Sequence, residues 1–160
     1  MDGGALYRTE SAALRRYLAR MSGDTDAAED LVHETFVRAL RHPAALKRSG
    51  RGWLFTVATN LLRDRARARE RHTRLATEIA EPVAPRTDAD AEAGELRERL
   101  HAALAALSHR ERSAILLRHE GYAQREIAEI LGTTTGTIGT LTARALRKLA
   151  DSEPLRPFRP

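Results

Sequence analysis

Apolar residues recur along most of the chain at spacings of three and four positions, which places them on one face of a helix. The first two such patterns run from Leu6 to Met21 and from about Asp26 to Pro43. Ser22-Gly23-Asp24 separates them, and the proline ends the second because it disfavours helical geometry in the residue before it. Apolar and polar residues do not alternate as in a half-buried strand, so the pattern predicts an all-α fold.

A polar connection at residues 47–52 leads into a long predicted helix that runs from Trp53 to about His72. Its apolar side holds Leu54, Val57, Ala58, Leu61 and Ala68. Its opposite side holds Thr56, Asn60, Arg63 and Arg67. A row of guanidinium groups that continues into amide and hydroxyl groups suits phosphates and base edges. A purely solvated charged face explains the same residues, and both interpretations stay open on the chemistry alone.

The helical pattern stops at residues 76–95, where Pro, Asp, Glu and Ala occur with few large apolar residues. This composition is typical of an extended, solvated linker. We therefore expect two small helical domains, at 1–75 and 96–152, joined by a flexible acidic linker at 76–95. The last segment, 153–160, contains three prolines and is expected to be a non-helical tail.

The second domain carries the pattern of a helix–turn–helix. Its predicted elements are a helix capped by Ser108 and Glu111, a short helix at 124–131, a left-handed turn at Gly132 and a last helix at 135–149. The residues expected to pack between these helices are Ile127, Ala128, Leu131, Ile138 and Leu146. A short helix, a tight turn and a second helix are the elements that place one helix in a DNA groove.

Composition narrows the class of protein. The net charge of +5 over 160 residues indicates an anionic partner such as nucleic acid or a membrane surface. No apolar run is long enough to span a membrane, and the N-terminus lacks the pattern of a signal peptide. The absence of cysteine excludes disulfides and fits a reducing compartment. We therefore expect a cytoplasmic protein without membrane insertion.

Signatures of catalysis do not emerge from the sequence. The six histidines lack the spacing of a metal site, and no phosphate-binding glycine loop is present. The carboxylates of Glu29, Asp30 and Glu34 lie on an expected exposed face, where docking or solvation explains them better than acid–base chemistry. The sequence therefore predicts no enzyme, no metal and no cofactor.

Three segments in this order resemble the extracytoplasmic-function (ECF) subfamily of bacterial RNA polymerase sigma factors. The first is Ala28-Glu29-Asp30-Leu31-Val32-His33-Glu34-Thr35-Phe36, similar to the acidic helix that docks on core RNA polymerase. The second, residues 53–64, is similar to the helix that engages the minus-ten promoter element. The third, residues 107–145, looks like the module that recognises the minus-thirty-five element. The resemblance implies a factor that binds core RNA polymerase and promoter DNA and directs promoter-specific transcription initiation.

The resemblance also implies functional positions. The polymerase-docking positions are Asp30, Leu31, Glu34 and Phe36, of which Leu31 and Phe36 are expected to pack. The minus-ten positions are Lys47, Arg48, Ser49 and Arg51, in the loop that holds a flipped base, and Asn60, Arg63 and Arg67, which face the promoter strand. The minus-thirty-five positions are Thr135, Thr137, Gly139, Thr140 and Arg144. Trp53 suits either stacking on a base or the core, and the core is favoured by its apolar surroundings.

The recognition helix departs from the family pattern. Gly139 and Leu141 stand where Arg or Lys is usual, and a glycine inside a helix costs about 0.5–1 kcal/mol relative to alanine. Fewer cations should weaken attraction to phosphates, so we expect upstream binding that is modest or unusually specific. Ala123 replaces the usual Ser or Thr cap of the short helix.

Two rival hypotheses remain at this point. A stand-alone helix–turn–helix regulator would bind operator DNA without polymerase, and the acidic helix at 28–36 distinguishes the two. A nucleic-acid enzyme or an interaction module that sequesters another regulator is the second rival. Members of the ECF subfamily are commonly held inactive by an anti-sigma partner, and nothing in the sequence identifies one for this chain.

Overall fold

A computed structural model describes residues 2–75 and 91–158 of the chain. The elements are α1 (Gly3–Ser22), α2 (Thr25–Arg41), α3 (Pro43–Leu75), α4 (Ala91–Ala105), α5 (His109–His119), α6 (Gln124–Leu131), α7 (Thr135–Asp151) and a 3₁₀ helix (Glu153–Phe158). These described ranges contain no β-strand, which confirms the predicted all-α class.

The helix ends follow local chemistry. Gly23 ends α1 in the left-handed conformation with φ 71°, which a residue without Cβ adopts easily. The Asp24 side chain then accepts hydrogen bonds from two backbone N–H groups and caps α2. Ser108 and Glu111 form the predicted capping box of α5. Gly132 ends α6 in the left-handed conformation, as predicted.

Two segments differ from the sequence prediction. The polar connection at 47–52 belongs to α3, which is interrupted only at Gly50, with φ 57° and ψ −144°. Pro43 is the first residue of this helix, where its missing N–H and fixed φ are tolerated. The predicted non-helical tail forms a 3₁₀ helix at Glu153–Phe158, and it lies against α4. Pro154 sits at the start of that short helix, so its ring does not block an earlier turn.

The boundary between the two helical parts agrees only partly with the linker predicted from the sequence. Helix α4 begins at Ala91, inside the range 76–95 that the composition predicts to be a linker. Residues 76–90 of that range lie outside the described residues, as do 159–160 of the predicted tail.

Helices α1, α2 and α3 pack on one another. Their largest fully buried side chains are Leu14, Tyr17, Leu18, Leu31, Val32, Leu54 and Phe55. The predicted apolar side of α3 is buried at Leu54, Ala58 and Leu61, while Ala68 is exposed. Helix α3 continues beyond the core. Its described side chains after Leu62 are all exposed or only half-buried.

Helices α5, α6 and α7 form the predicted helix–turn–helix unit. Ile127, Ala128 and Ile138 are buried between them as predicted, and Leu131 is half-buried. Leu146 is 50% exposed, which corrects its assignment to the packed face. It lies about 70° around the helix from the centre of the buried face formed by Ile138, Thr142 and Ala145.

The two helical parts share one hydrophobic core. Helix α1 packs against α5, and α3 packs against α6. The Phe55 ring lies between the rings of Tyr17 and Tyr122, with centroid distances of 5.4 and 5.1 Å. Since Tyr122 belongs to the helix–turn–helix part, its aromatic ring closes the core of the N-terminal part.

Candidate nucleic-acid and docking interfaces

Helix α2 presents two of its predicted docking residues and buries the other two. Asp30 is exposed, and Glu34 accepts a hydrogen bond from Arg38 at 2.8 Å while its second oxygen lies 3.6 Å from Arg65. Leu31 is 1% exposed and Phe36 is 7% exposed. Leu31 and Phe36 therefore anchor α2 in the core, and the carboxylates of Asp30 and Glu34 are its predicted docking groups that a partner can reach.

The predicted loop at 47–51 is divided by the break in α3. Lys47, Arg48 and Ser49 are exposed on the segment before Gly50. Arg51 follows the break, and its guanidinium group reaches the helix–turn–helix part. Arg51 Nη2 donates a hydrogen bond to the backbone oxygen of Glu120 at 3.2 Å. The structure therefore brings Lys47, Arg48 and Ser49 together and separates Arg51 from them.

Tyr122 holds the guanidinium group of Arg51 in two ways. Arg51 Nε donates a hydrogen bond to the Tyr122 hydroxyl at 3.0 Å, and the guanidinium carbon lies 4.3 Å from the ring centroid. Burial raises the pKa of Tyr122 to about 12, against the opposing effect of the Arg51 hydrogen bond. The hydroxyl therefore stays neutral and can accept from Arg51 throughout the physiological pH range.

Asn60, Arg63 and Arg67 line one side of α3, as the helical spacing predicts. Asn60 and Arg67 are exposed, and Arg63 is half-buried. The positive charge of Arg63 acts on His109 in α5. Burial, aided by the charges of Arg63 and Arg112, lowers the pKa of His109 below its usual value. Of these three residues, Arg63 is therefore the one whose charge reaches α5.

The predicted groove residues of α7 fall into two groups on the surface of the helix. Thr137, Thr140 and Arg144 fall within about 60° of one another on the side opposite the buried face. Thr135 is exposed in the first turn, and Gly139 is half-buried toward α6.

Two of the groove-facing hydroxyls are engaged inside the helix. The Thr137 hydroxyl lies 2.9 Å from that of the capping residue Thr134, and Thr140 Oγ1 donates to the Gly136 oxygen at 3.2 Å. Arg144 is exposed and is the cation of this face that the sequence predicts.

Contacts between the two helical parts include residues that sequence reasoning missed. Arg16 Nη2 lies 2.9 Å from the Glu120 carboxylate, whose side chain is 6% exposed. Their hydrogen bond raises the pKa of Arg16. Arg112 donates hydrogen bonds to the backbone oxygens of Met21 and Leu104 at 2.9 and 2.8 Å. No local sequence pattern predicts the Arg16–Glu120 and Arg112–Met21 pairs, because their partners lie 104 and 91 positions apart.

The described residues contain no cluster of His, Asp or Glu side chains that could hold a metal ion. Among the helices of residues 2–75 and 91–158, none is both long and apolar enough to cross a membrane.

Comparison with known proteins identifies both helical parts. The sequence-family model of Sigma-70 region 2 matches residues 6–72, and that of Sigma-70 region 4 matches residues 97–149. The ECF RNA polymerase sigma factor SigL of Mycobacterium tuberculosis is 37% identical over 150 residues, which cover 91% of this chain and 85% of SigL. The ECF RNA polymerase sigma factor BldN of Streptomyces coelicolor is 33% identical over 156 residues, or 92% of this chain and 58% of BldN.

Solved structures show the same fold. The sigma factor RpoE of Bartonella quintana, in complex with the anti-sigma factor NepR, matches with a TM-score of 0.77 and 28% identity over 96% of both chains. CnrH, in complex with the cytosolic domain of CnrY, matches with a TM-score of 0.71 and 26% identity over 94% of this chain and 89% of CnrH.

Proposed function

The chain belongs to the sigma-70 family, among the extracytoplasmic-function sigma factors, and from that premise we propose how its surfaces serve initiation. It binds core RNA polymerase and directs promoter-specific transcription initiation. The observation that carries this conclusion is the match of regions 2 and 4 to residues 6–72 and 97–149, in that order along one chain. Its role is binding and strand opening rather than catalysis, and we expect it to act in the cytoplasm with the polymerase.

The docking surface for polymerase is the carboxylate side of α2. Asp30 is exposed and Glu34 is half-buried between Arg38 and Arg65. Complementary charge steers association and fixes register at such an interface. Leu31 and Phe36 contribute by holding α2 in its position, since both are buried.

The minus-ten element meets α3. Lys47, Arg48 and Ser49 are exposed before the break at Gly50, and Asn60 and Arg67 are exposed beyond it. Cationic side chains neutralise phosphates and position the strand. An unstacked base exposes its hydrogen-bonding edges and stacking face, so a protein that captures it stabilises the opened strand. Arg51 joins this surface once its contact with Tyr122 is released, and Arg63 is half-buried on the same side of α3 as Asn60 and Arg67.

The minus-thirty-five element meets the first turns of α7. Thr135, Thr140 and Arg144 are exposed there, and Thr137 and Gly139 are half-buried. A recognition helix contacts base edges with its N-terminal residues. With Arg144 as its predicted cation, this helix depends more on base contacts than on charge.

Contact with both elements requires the two helical parts to separate. The two elements are named for positions roughly 25 base pairs apart, which corresponds to about 85 Å of duplex. A compact unit of this chain length is only about 40 Å across. Residues 76–90, if fully extended, would span at most about 50 Å, which together with two separated domains bridges the distance. The packed arrangement is therefore a closed form, and promoter binding uses an open one.

An anti-sigma factor is a further expected partner. RpoE of Bartonella quintana was solved with the anti-sigma factor NepR, and it matches this chain over nearly its whole length. We expect such a partner to favour a form in which the two helical parts cannot reach both promoter elements.

Transcription in vitro with purified core polymerase tests the proposed function. The wild-type chain should support initiation from a promoter of the native host, and Asp30→Lys combined with Glu34→Lys should abolish polymerase binding. Glu92→Lys combined with Glu98→Lys changes charge equally on the exposed side of α4 and should leave binding intact. If the chain bound duplex DNA but never polymerase, the stand-alone regulator would replace this proposal.

A further inference from the structure

Gln124 lies at the junction of the two helices of the helix–turn–helix. It is the first residue of α6 and is exposed. Its Nε2 atom donates a hydrogen bond of 2.6 Å to the backbone oxygen of Thr135, the first residue of α7. A carbonyl oxygen only accepts, so the nitrogen of the amide must face Thr135 and its oxygen must point elsewhere. This bond fixes the plane of the amide beside the first turn of α7.

Because Gly139 has no side chain, the amide of Gln124 can lie close to α7 at this position. A Cβ atom built on Gly139 would lie 3.1 Å from Gln124 Nε2, which is closer than ordinary van der Waals contact. Gly139 is absent from the glycines with positive φ in the described residues, so its backbone does not require glycine. Glycine weakens a helix interior relative to alanine. A Cβ atom at position 139 would therefore force this amide to shift by a few tenths of an ångström.

The fixed amide leaves one donor and one acceptor for a partner. Its NH₂ group has two hydrogens, of which one bonds to Thr135. When the hydrogen trans to Oε1 makes the bond to Thr135, the hydrogen cis to Oε1 remains free and forms a side-by-side donor and acceptor with Oε1. Adenine presents the complementary pair on its major-groove edge, with N7 as acceptor and the N6 amino group as donor. Guanine presents two acceptors at the same edge, and Arg or Lys side chains donate hydrogen bonds to them.

Gln124 adds a planar donor and acceptor group beside the first turn of α7, near the predicted groove-facing residues. The hydroxyls of Thr137 and Thr140 are engaged within α7, although their methyl groups stay available for a thymine methyl. We propose that Gln124 recognises an adenine of the upstream promoter element and that Gly139 permits the required position of its amide. This inference rests on the proposed function and identifies a base contact within it.

Selection of promoters from duplex DNA randomised across the upstream element tests the inference, with the full chain assembled on core polymerase. The wild type should select adenine at one position. Gln124→Ala should lower that preference at least about fivefold and leave the other positions unchanged. Gln124→Lys should shift the selected base at that position from adenine to guanine, because an ammonium group donates to guanine N7 and O6.

Two further variants distinguish base recognition by Gln124 from a structural role of this side chain and from a general effect of positive charge. Gly139→Ala should lower the adenine preference, because a Cβ atom 3.1 Å from Gln124 Nε2 displaces the amide. Arg125→Ala, one residue along the same exposed helix, should weaken all sequences alike.

The outcomes distinguish the inference from the function on which it rests. An adenine preference that survives in Gln124→Ala, or an equal loss on every sequence with a lower melting temperature, would show that Gln124 only braces the two helices. Failure of the wild type to bind polymerase or to select any upstream sequence would overturn the proposed function itself.

Discussion

Arg51 and Tyr122 form a hydrogen bond of 3.0 Å between residues that are 71 positions apart. The bond joins the first residue after the break in α3 to the segment that precedes α6. Tyr122 also packs edge-on against Phe55, so the same side chain holds a predicted minus-ten residue and closes the core of region 2. In the proposed closed form of the chain, this contact would keep Arg51 away from DNA.

Tyr122→Phe should shift the chain toward its open form. The substitution keeps the ring and its contact with Phe55 but removes the hydroxyl that accepts from Arg51. A hydrogen bond to a charged group contributes about 1.5–3 kcal/mol, and the exposure of Arg51 favours the lower value. The ratio of open to closed chains should rise roughly tenfold, which small-angle X-ray scattering detects as a larger radius of gyration. Tyr7→Phe, at an exposed ring on α1, should leave the radius unchanged, and equal radii for both variants would contradict the role of Tyr122.

Stability should fall on mild acidification because of His109. Its Nε2 atom is buried without a hydrogen-bond partner among the described residues, and burial together with Arg63 and Arg112 lowers its pKa from 6.5. The folded chain thus binds a proton less readily than the unfolded chain, so the contribution of neutral His109 is complete above pH 6.5 and is lost as the pH falls through its folded pKa. Melting temperatures measured from pH 7.5 to 5 should decline more steeply for the wild type than for His109→Gln.

His72→Gln supplies the control for that titration. His72 is exposed on α3, and replacing it should leave the slope of the wild type unchanged. A slope that His109→Gln does not reduce would assign the acid sensitivity to other groups.

Gly50→Ala should destabilise the fold through the backbone alone. Gly50 has φ 57° and ψ −144°, a combination that residues with a Cβ rarely adopt, and a Cβ atom there would meet nothing within 4 Å. Such strain costs of order 1–3 kcal/mol, which denaturant unfolding measures directly. Gly94→Ala is the matched control, since Gly94 lies inside α4 with equally open space. It should stabilise the helix by about 0.5–1 kcal/mol, and equal effects at both positions would argue against backbone strain at Gly50.

Local chemistry explains why much of the fold could be predicted. The caps at Ser108 and Thr134 depend on residues three positions away, so they are visible in the sequence. Even the departure at Ala123 is local, because the Glu126 carboxylate accepts its N–H at 2.7 Å and preserves half of a capping box. Helical periodicity likewise predicts which faces of α1 and α2 are buried.

The contacts across the two parts could not be predicted in this way. Arg112 bonds to the backbone of Met21 across 91 positions, and no spacing rule connects such residues. Helical structure at 47–49 also escaped prediction, since these polar residues have no apolar periodicity and are held in a helix that starts at Pro43. Trp53 is half-buried against the core, the alternative that its apolar neighbours favoured.

Arg63→Ala combined with Arg67→Ala should reduce promoter opening while polymerase binding stays intact. Both side chains lie on the α3 face that also presents Asn60, away from the carboxylates of α2. Each lost phosphate contact should lower the slope of log affinity against log salt by about 1, and the reactivity of unpaired thymines reports the open complex. Arg41→Ala combined with Arg69→Ala removes the same charge from exposed positions off this face and should retain opening. If polymerase binding instead fell together with opening, the arginine row would serve the fold of region 2 and not the promoter strand.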